Sequence, residues 1–229
     1  MKVSVVIPCY NEAESIAQVI SLVPQGVAEI LVVDNNSKDG TGDIARRAGA
    51  RVVVETKQGY GPALVCGFKH AVGDIIATLD GDNQYPAYKI MDAVRYLEEH
   101  NLDFVSASRF PLDDTNSMPL IRKVGNWGLT LAANVLFFRR LKDAQSGMWI
   151  FKKSVLDLIP LEQGAESKGM SLTQEIKLRA ATHPSIRFGE YHIPYHPRGG
   201  HSKLSPFRDG WRMLTFMIGL RIRLLRRHE

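Results

Sequence analysis

The chain has 229 residues, 45% of them hydrophobic, which is the composition of a globular protein with room for one large core. Its only cysteines, Cys9 and Cys66, lack the C-x-x-C spacing of zinc and redox sites, so we expect two core thiols. The net charge of +5 belongs to the tail, because residues 198–229 hold eight Lys or Arg against two acids. Such a tail favours an anionic surface, a phosphate or a nucleic acid.

The first half of the chain alternates short apolar runs with longer segments that suit helices. Each run is rich in β-branched residues and too short to form a helix by itself. This alternation predicts an α/β fold with a mostly parallel sheet and helices on both faces. The N-terminal residues read as the first strand and not as a leader, so no secretion signal is expected. The predicted strands are Val3–Ile7, Ile30–Val33, Val52–Val54, Ile75–Leu79 and Phe104–Ala107.

Beyond residue 110 the alternation weakens. We divide the chain into a domain of residues 1–204 and a basic amphipathic C-terminal helix within residues 205–229. The predicted features are a polar loop at Pro111–Met118, a charge-free apolar stretch at Val124–Phe138, a strand at Ser146–Phe151, a helix at Ser171–Ala181, a strand at Ile186–Ile193, a loop at Pro194–Ser205 and a helix at Arg208–Arg227.

Polar segments directly follow three of the predicted strands. They are Pro8–Glu12, Asp34–Gly40 and Asp80–Gln84, and every one carries a carboxylate. Ligands of open parallel sheets bind beyond the carboxyl ends of the strands. We therefore expect these three segments to form one binding edge.

Asp80, Asp82 and Gln84 follow a buried strand and form a candidate metal site. Two carboxylates one residue apart, at a turn made by Gly81, are able to reach one hard cation, and Gln84 adds a neutral oxygen. Oxygen ligands with few protein contacts suit Mg²⁺ or Mn²⁺ and leave room for substrate phosphates. The alternative is a solvated Asp-Gly-Asp turn, which is the commoner meaning of this pattern when it stands alone.

The other two strand ends carry groups that suit a nucleoside. Tyr10 offers a ring face beside Glu12, a carboxylate that suits a ribose, and Asp34 and Asn35 offer hydrogen-bonding groups from the adjacent strand. Taken singly, Asn11 and Asp34 are most simply explained as helix caps or turn residues.

Three motifs together resemble a known family. Ile7–Glu12, Val32–Thr41 and Asp80–Pro86 resemble the successive signatures of family-two glycosyltransferases with the GT-A fold. Within that family the chain most resembles polyprenyl-phosphate hexose synthases such as dolichyl-phosphate mannose synthase. The resemblance implies a Rossmann-like sheet and transfer of a hexose, with inversion, from a nucleoside-diphosphate sugar to a polyprenyl phosphate with Mg²⁺ or Mn²⁺.

The resemblance also implies roles for individual residues. Asp82, Arg109 and Glu175 would be catalytic, Asp80, Asp82 and Gln84 would hold the metal, and Arg109 would hold a phosphate. Asn35 and Trp149 depart from the family pattern, which leaves GDP-mannose and UDP-glucose both open as donors. The implied donor-binding residues are Pro8, Tyr10, Glu12, Val33, Asp34, Asn35, Asp80, Gly81, Asp82, Arg109, Arg198 and Lys203.

The nature of the acceptor decides whether a general base is needed. A lipid phosphate is already ionised at neutral pH and attacks the anomeric carbon directly, whereas a sugar hydroxyl needs a base. Glu175 would be that base; its alternative role is a helix-surface charge paired with Arg179 at i, i+4.

The C-terminal helix is apolar at its centre and basic at both ends. Its charge-free run, Met213–Leu220, is far shorter than the ~20 residues that span a bilayer. The flanking arginines suit a helix lying in an anionic headgroup region, and the alternative is a helix docked on the domain. We expect a peripheral protein on the cytoplasmic face of a membrane, with the need for a separate membrane subunit left open.

Two rival functions remain at this stage. The first is a soluble glycosyltransferase with a saccharide or small hydroxyl acceptor. The second is a nucleic-acid-binding module that uses the basic tail and has no need of Asp82, since its affinity would come from counterion release. We expect no nucleic-acid partner.

Overall fold

A computed structural model describes residues 1–159, 171–197 and 206–226. Seven strands within these residues form one sheet, and every strand predicted from an apolar run is present. The strands are β1 (Val3–Cys9), β2 (Glu29–Asp34), β3 (Arg51–Val54), β4 (Ile75–Thr78), β5 (Phe104–Ser108), β6 (Trp149–Lys152) and β7 (Phe188–His192).

The sheet has the strand order β3-β2-β1-β4-β6-β5-β7. β1 pairs in parallel with β2 and β4, β2 with β3, and β5 with β7. β6 is the exception, because it runs antiparallel to both β4 and β5. The predicted mostly parallel sheet is confirmed, and β6 enters it from the edge at which β5 ends.

Helices cover both faces of the sheet, as predicted. They are α1 (Ile16–Ser21), α2 (Thr41–Arg47), α3 (Tyr60–His70), α4 (Ile90–Glu99), α5 (Leu120–Phe137), α6 (Val155–Leu158), α7 (Ser171–Thr182) and α8 (Pro206–Arg226).

β1 shows how the sequence fills both layers. Its side chains alternate between the faces, so that Val5 and Ile7 pack with Ile90 of α4 while Val6 packs with Leu64 of α3 on the other side. Both faces of the sheet are therefore covered by apolar side chains and shielded from water, which explains why the strands have continuous apolar sequences.

A third apolar cluster joins α5, α7 and α8. Met217 and Leu220 of α8 are fully buried in it with Phe137 and Leu178. Burying each of these α8 side chains contributes roughly 1.5–3 kcal/mol, so α8 is docked on the domain through one face. The boundary at residues 204 and 205 stays a prediction. None of the described helices has the length and apolar character needed to cross a membrane.

Candidate active site

Three loops meet at one edge of the sheet, where parallel strands end. β1 lies between β2 and β4, so the carboxyl ends of all three are neighbours. The Glu12 amide after β1 donates to Oγ1 of Thr41 at 2.9 Å, and Oγ of Ser15 donates to the Gly81 carbonyl at 2.6 Å. The expected convergence of the three polar segments is confirmed.

Gly81 allows the ends of β1 and β4 to approach each other. A Cβ atom at this position would lie 2.8 Å from Sγ of Cys9, closer than such atoms pack. Burial raises the pKa of the Cys9 thiol well above its usual value, and the carboxylates of Glu12, Asp34 and Asp80 raise it further. The thiol is therefore neutral, and the strand ends around it concentrate negative charge that suits a cation.

Asp80 and Asp82 occupy the turn after β4. Oδ1 of Asp80 accepts a hydrogen bond from the Tyr60 hydroxyl at 2.6 Å, and Oδ1 of Asp82 accepts one from the backbone amide of Gln84 at 3.1 Å. Gln84 is buried, and its Nε2 donates to the His196 carbonyl at 3.4 Å. The His196 amide donates back to the Gln84 carbonyl at 3.0 Å. Gln84 thus ties the segment after β7 to the carboxylate turn.

The donor set at this turn fits a hard divalent cation. It consists of carboxylate and amide oxygens, which Mg²⁺ and Mn²⁺ accept. Among the described residues, no cluster of three or more His, Cys, Asp or Glu side chains would hold a metal ion. Two carboxylates leave coordination positions for phosphate oxygens, so the site fits a cation that binds together with a diphosphate. Asp80, Asp82 and Gln84 as its ligands stay a prediction.

Four predicted donor-binding residues lie on β1 and β2 or directly after them. Pro8 and Val33 are buried and lie opposite each other in the β1–β2 ladder. Tyr10 is exposed and Asp34 is half-buried, so a ligand is able to reach both. A Cβ atom at Gly42 would lie 2.6 Å from Oδ2 of Asp34, which shows how closely Asp34 rests against α2.

The side-chain amide of Asn35 is hydrogen-bonded to the loop between β3 and α3. Its Nδ2 donates to the carbonyls of Glu55 and Lys57 at 2.8 and 2.9 Å, and its Oδ1 accepts from the Gly59 amide at 2.7 Å. The residue is buried. The side-chain amide of Asn35 is thus hydrogen-bonded within the protein, and its contact with a donor base stays a prediction.

Arg109 is buried and forms a bidentate ion pair with Asp143. Nε donates to Oδ2 at 2.7 Å and Nη2 donates to Oδ1 at 3.0 Å. Burial alone would raise the pKa of Asp143, but the guanidinium outweighs it and holds that pKa at about 2. The charge of Arg109 is therefore already paired with Asp143. A contact between Arg109 and a phosphate stays a prediction.

Two tyrosines, the buried Tyr85 and the half-buried Tyr195, connect Arg109 with the carboxylate turn. The Arg109 guanidinium carbon lies 5.1 Å from the centre of the Tyr195 ring, and that ring lies 5.4 Å from the ring of Tyr85. The Tyr85 hydroxyl accepts a hydrogen bond from the Gly147 amide at 2.8 Å. Burial raises the pKa of Tyr195 to about 12; Arg109 opposes this rise and Asp82 adds to it.

Sequence reasoning missed Tyr60, Tyr85, Asp143 and Tyr195 as site residues. The family resemblance also extends through Asp143–Ile150, and that was the one signal pointing to Asp143. Tyr85 lies inside the family motif Asp80–Pro86, which was the signal pointing to it, whereas no motif named above marks Tyr60 or Tyr195.

Glu175 lies on α7 and is paired with Arg179. Nε of Arg179 donates to Oε1 of Glu175 at 2.8 Å, so the i, i+4 pair is confirmed, but both side chains are buried instead of lying on the surface. Between these two residues in the sequence, Nζ of Lys177 donates to the Asp143 carbonyl at 3.0 Å. Burial lowers the pKa of Lys177 to about 8, against the attraction of Asp143. A role for Glu175 as a base stays a prediction.

Three remaining positions complete the sequence-based picture. Arg198 and Lys203, predicted to grip a phosphate, lie outside the described residues. Trp149, at the position where the family pattern has an arginine, is fully buried and donates from Nε1 to the Ser146 carbonyl at 3.0 Å. Its ring fills the core, so this position presents no charge to a ligand.

Comparison with known proteins assigns a family to residues 4–159, which match the model of glycosyl transferase family 2. A low-salt glycan biosynthesis hexosyltransferase of Haloferax volcanii is 32% identical over 222 residues, covering 94% of this chain and 52% of the relative. The chain thus spans about half the length of that relative. A dolichyl-phosphate hexose transferase of the same organism is 31% identical, covering 90% of this chain and 88% of the relative.

Solved structures show the same fold. Glucosyl-3-phosphoglycerate synthase from Mycobacterium tuberculosis, in complex with Mn²⁺, UDP-glucose and phosphoglyceric acid, superposes with a TM-score of 0.69 at 22% identity. The match covers 96% of this chain and 79% of that structure. At this identity the likeness establishes the GT-A-type fold alone.

Proposed function

The chain belongs to glycosyl transferase family 2, and from this we propose that it transfers a hexose from a nucleoside-diphosphate sugar, GDP-mannose or UDP-glucose, to a polyprenyl phosphate such as dolichyl phosphate. The observation that carries the proposal is that Glu12, Asp34 and Asp80 lie at the carboxyl ends of three neighbouring parallel strands, β1, β2 and β4, at one edge of the sheet. A diphosphate with its cation is the ligand that such an edge accepts. The likeness to a dolichyl-phosphate hexose transferase supports the acceptor.

Asp80 and Asp82 would hold Mg²⁺ or Mn²⁺, with Gln84 beside them. When bound, the cation neutralises the charge that develops on the departing diphosphate. The protein's own contribution is to hold the donor: Tyr10 and Asp34 lie where a nucleoside is able to reach them, and Glu12 suits a ribose hydroxyl. Arg109 adds a positive group on the far side of Tyr195, and Arg198 and Lys203 are proposed to close on the phosphates.

The state of Glu175 supports a phosphate acceptor. Its carboxylate is buried and paired with Arg179 at 2.8 Å, whereas a general base must reach the proton that it removes. A lipid phosphate needs no such base, and its direct attack on the anomeric carbon in a single displacement gives an inverted product. A saccharide or small hydroxyl acceptor remains the competing proposal and requires Glu175 to leave this pair.

The outer faces of α5 and α8 support contact with a membrane. Both helices expose large apolar side chains, with Trp127 67%, Phe138 82% and Trp211 69% exposed. Arginines border this surface, and the Arg221 guanidinium lies 5.4 Å from the Phe138 ring centre. Exposed aromatic and basic side chains on paired helices suit the headgroup region of an anionic bilayer. We propose that the protein sits peripherally on the cytoplasmic face of a membrane, where a polyprenyl phosphate is within reach.

Replacing Trp127, Phe138 and Trp211 together by serine is expected to weaken binding to vesicles. Each aromatic side chain removed from the headgroup region costs about tenfold in partitioning. Flotation with phosphatidylcholine vesicles, with and without phosphatidylglycerol, measures the loss. The matched control is Val72→Ser, which removes an apolar side chain that is 67% exposed just beyond α3.

Equal flotation of the triple variant and the wild type would contradict the membrane contact. A wild-type dimer in solution that the triple variant converts to a monomer would also contradict it, because a second copy would then cover this surface.

The donor is expected to stabilise the folded protein only with a divalent cation present. A ligand at 100 times its Kd adds about 2.7 kcal/mol, which raises the unfolding midpoint by about 5–10 °C for a chain of this size. A thermal-shift screen of GDP-mannose, UDP-glucose, GDP and UDP with Mg²⁺ or Mn²⁺ measures it and identifies the base.

The acceptor is then tested with the donor that binds. Transfer to a polyprenyl phosphate supports the proposal, and transfer only to a soluble saccharide overturns it. If no nucleotide sugar shifts the midpoint while single-stranded nucleic acid binds in a salt-sensitive way, the nucleic-acid alternative replaces it.

A further inference from the structure

Tyr60, the first residue of α3, hydrogen-bonds to one of the carboxylates proposed to bind the metal. Its hydroxyl donates to Oδ1 of Asp80 at 2.6 Å. A tyrosine hydroxyl is ordinarily protonated at neutral pH, so it acts as the donor of this hydrogen bond to Oδ1.

A chain of contacts holds Tyr60 in this position. Gly59, just before α3, has φ +138°, a conformation that favours glycine. The Gly59 amide donates to Oδ1 of Asn35 at 2.7 Å, and Asn35 itself is anchored to the carbonyls of Glu55 and Lys57. The buried Asn35 thus fixes the start of α3 and, through it, the Tyr60 ring.

The second oxygen of Asp80 faces a glycine. A Cβ atom at Gly147 would lie 3.9 Å from Oδ2 of Asp80 and 3.6 Å from the Tyr60 hydroxyl oxygen. Gly147 is held by its amide, which donates to the Tyr85 hydroxyl at 2.8 Å. The loop that contains Gly147 therefore packs beside the Tyr60–Asp80 pair.

We propose that Tyr60 is a positioning residue for the metal site: its hydroxyl engages Oδ1 and so sets the orientation in which the Asp80 carboxylate meets the divalent cation. This proposal rests on the proposed function, since it needs a cation at Asp80. Partners that orient a metal ligand change metal affinity by about 10–100-fold when they are removed. Without this hydrogen bond the Asp80 carboxylate is held less firmly, and the cost of ordering it opposes metal binding.

Tyr60→Phe removes only the hydroxyl and keeps the ring that packs in the core. We expect the Kd for Mn²⁺ in the presence of UDP or GDP to rise by about 10–100-fold, while the metal-free unfolding midpoint stays within a few degrees of the wild type. Mn²⁺ binding is measured by electron paramagnetic resonance, which reports the free ion directly. The matched control is Tyr96→Phe on α4, whose ring packs on His100 with centres 4.1 Å apart.

A second comparison separates positioning from a general structural effect. If Tyr60 acts through Asp80, Tyr60→Phe will change Mn²⁺ affinity in the wild type but not in the Asp80→Ala background, because the two residues then act as one unit. An additive loss in the double variant overturns the proposal.

Two further outcomes distinguish this inference from the function on which it rests. Wild-type affinity for Mn²⁺ in Tyr60→Phe overturns the positioning role and leaves the proposed function standing. Failure of the wild type itself to bind Mn²⁺ with either nucleotide overturns both.

Discussion

Asp82→Ala is expected to abolish the cation-dependent binding of the donor and to lower the rate of hexose transfer by on the order of 10³-fold. Asp82 lies in the turn after β4, where its Oδ1 also accepts the Gln84 amide at 3.1 Å. Without it, Asp80 is left as the one carboxylate of the turn, so the charge on the departing diphosphate is no longer neutralised. The measurements are kcat/KM for transfer to a polyprenyl phosphate and the thermal shift with Mn²⁺.

The metal-free stability of this variant provides an independent check. Asp82 lies close to Asp80, and removing one of two neighbouring carboxylates relieves repulsion, so the unfolding midpoint should equal or exceed that of the wild type. The matched control is Asp43→Ala, which removes an exposed carboxylate on α2 that is paired with Arg46 at 2.7 Å. Full activity in Asp82→Ala, or an equal loss in Asp43→Ala, would contradict the metal site.

Asp143→Ala is expected to destabilise the fold by about 3–5 kcal/mol, because it leaves the buried Arg109 guanidinium without its partner. Both hydrogen bonds of that pair are short, at 2.7 and 3.0 Å, and both side chains are buried. The free energy of unfolding from urea denaturation measures this loss. Transfer activity should fall as well, since Tyr195 packs on the same guanidinium.

A double variant tests whether the unpaired charge is the cause. Arg109→Met combined with Asp143→Leu removes both charges, and replacing a buried ion pair with apolar side chains is often close to neutral in stability. The double variant should therefore be more stable than Asp143→Ala while remaining inactive. A double variant no more stable than the single one would show that packing, and not charge, explains the loss.

The same ion pair predicts a dependence of stability on pH. The pKa of Asp143 is about 2 in the folded protein and about 3.9 in an unfolded chain. A folded-state pKa below the unfolded value means that the stabilisation is fully present above about pH 4 and is lost as the pH falls towards 2. The stability difference between the wild type and Asp143→Asn should therefore narrow by about 2–3 kcal/mol across that range.

Much of the fold was predictable because the relevant signals are local. The run Ile75–Leu79 is apolar at nearly every position, and this composition by itself indicates a strand that is buried on both faces. The structure has β4 at Ile75–Thr78, and every residue of this strand is buried. The strand at Ser146–Phe151 was also predicted, but its direction was not. β6 is antiparallel because the chain re-enters the sheet at the edge where β5 ends. The residues of the strand itself do not indicate the direction from which the chain arrives.

Asn35 shows the same limit within the site. Its position after a strand predicted a ligand-facing amide, but the structure uses that amide for the carbonyls of Glu55 and Lys57, which lie 20 and 22 residues further along the chain. Arg109 likewise meets Asp143, 34 residues away. Both were named from sequence as donor residues, and in each case a partner far along the chain determines which atoms remain for a ligand.

The sequence by itself therefore determined that carboxylates follow three buried strands, and parallel pairing of those strands was enough to bring them to one edge. Only the tertiary structure decided how each side chain is held there, with Tyr60 against Asp80 and Asp143 against Arg109. The physical reason is that the two kinds of interaction act over different separations along the chain. Strand formation depends on burial patterns within a few residues, whereas a hydrogen bond between side chains depends on distances that only the complete packing of the chain defines.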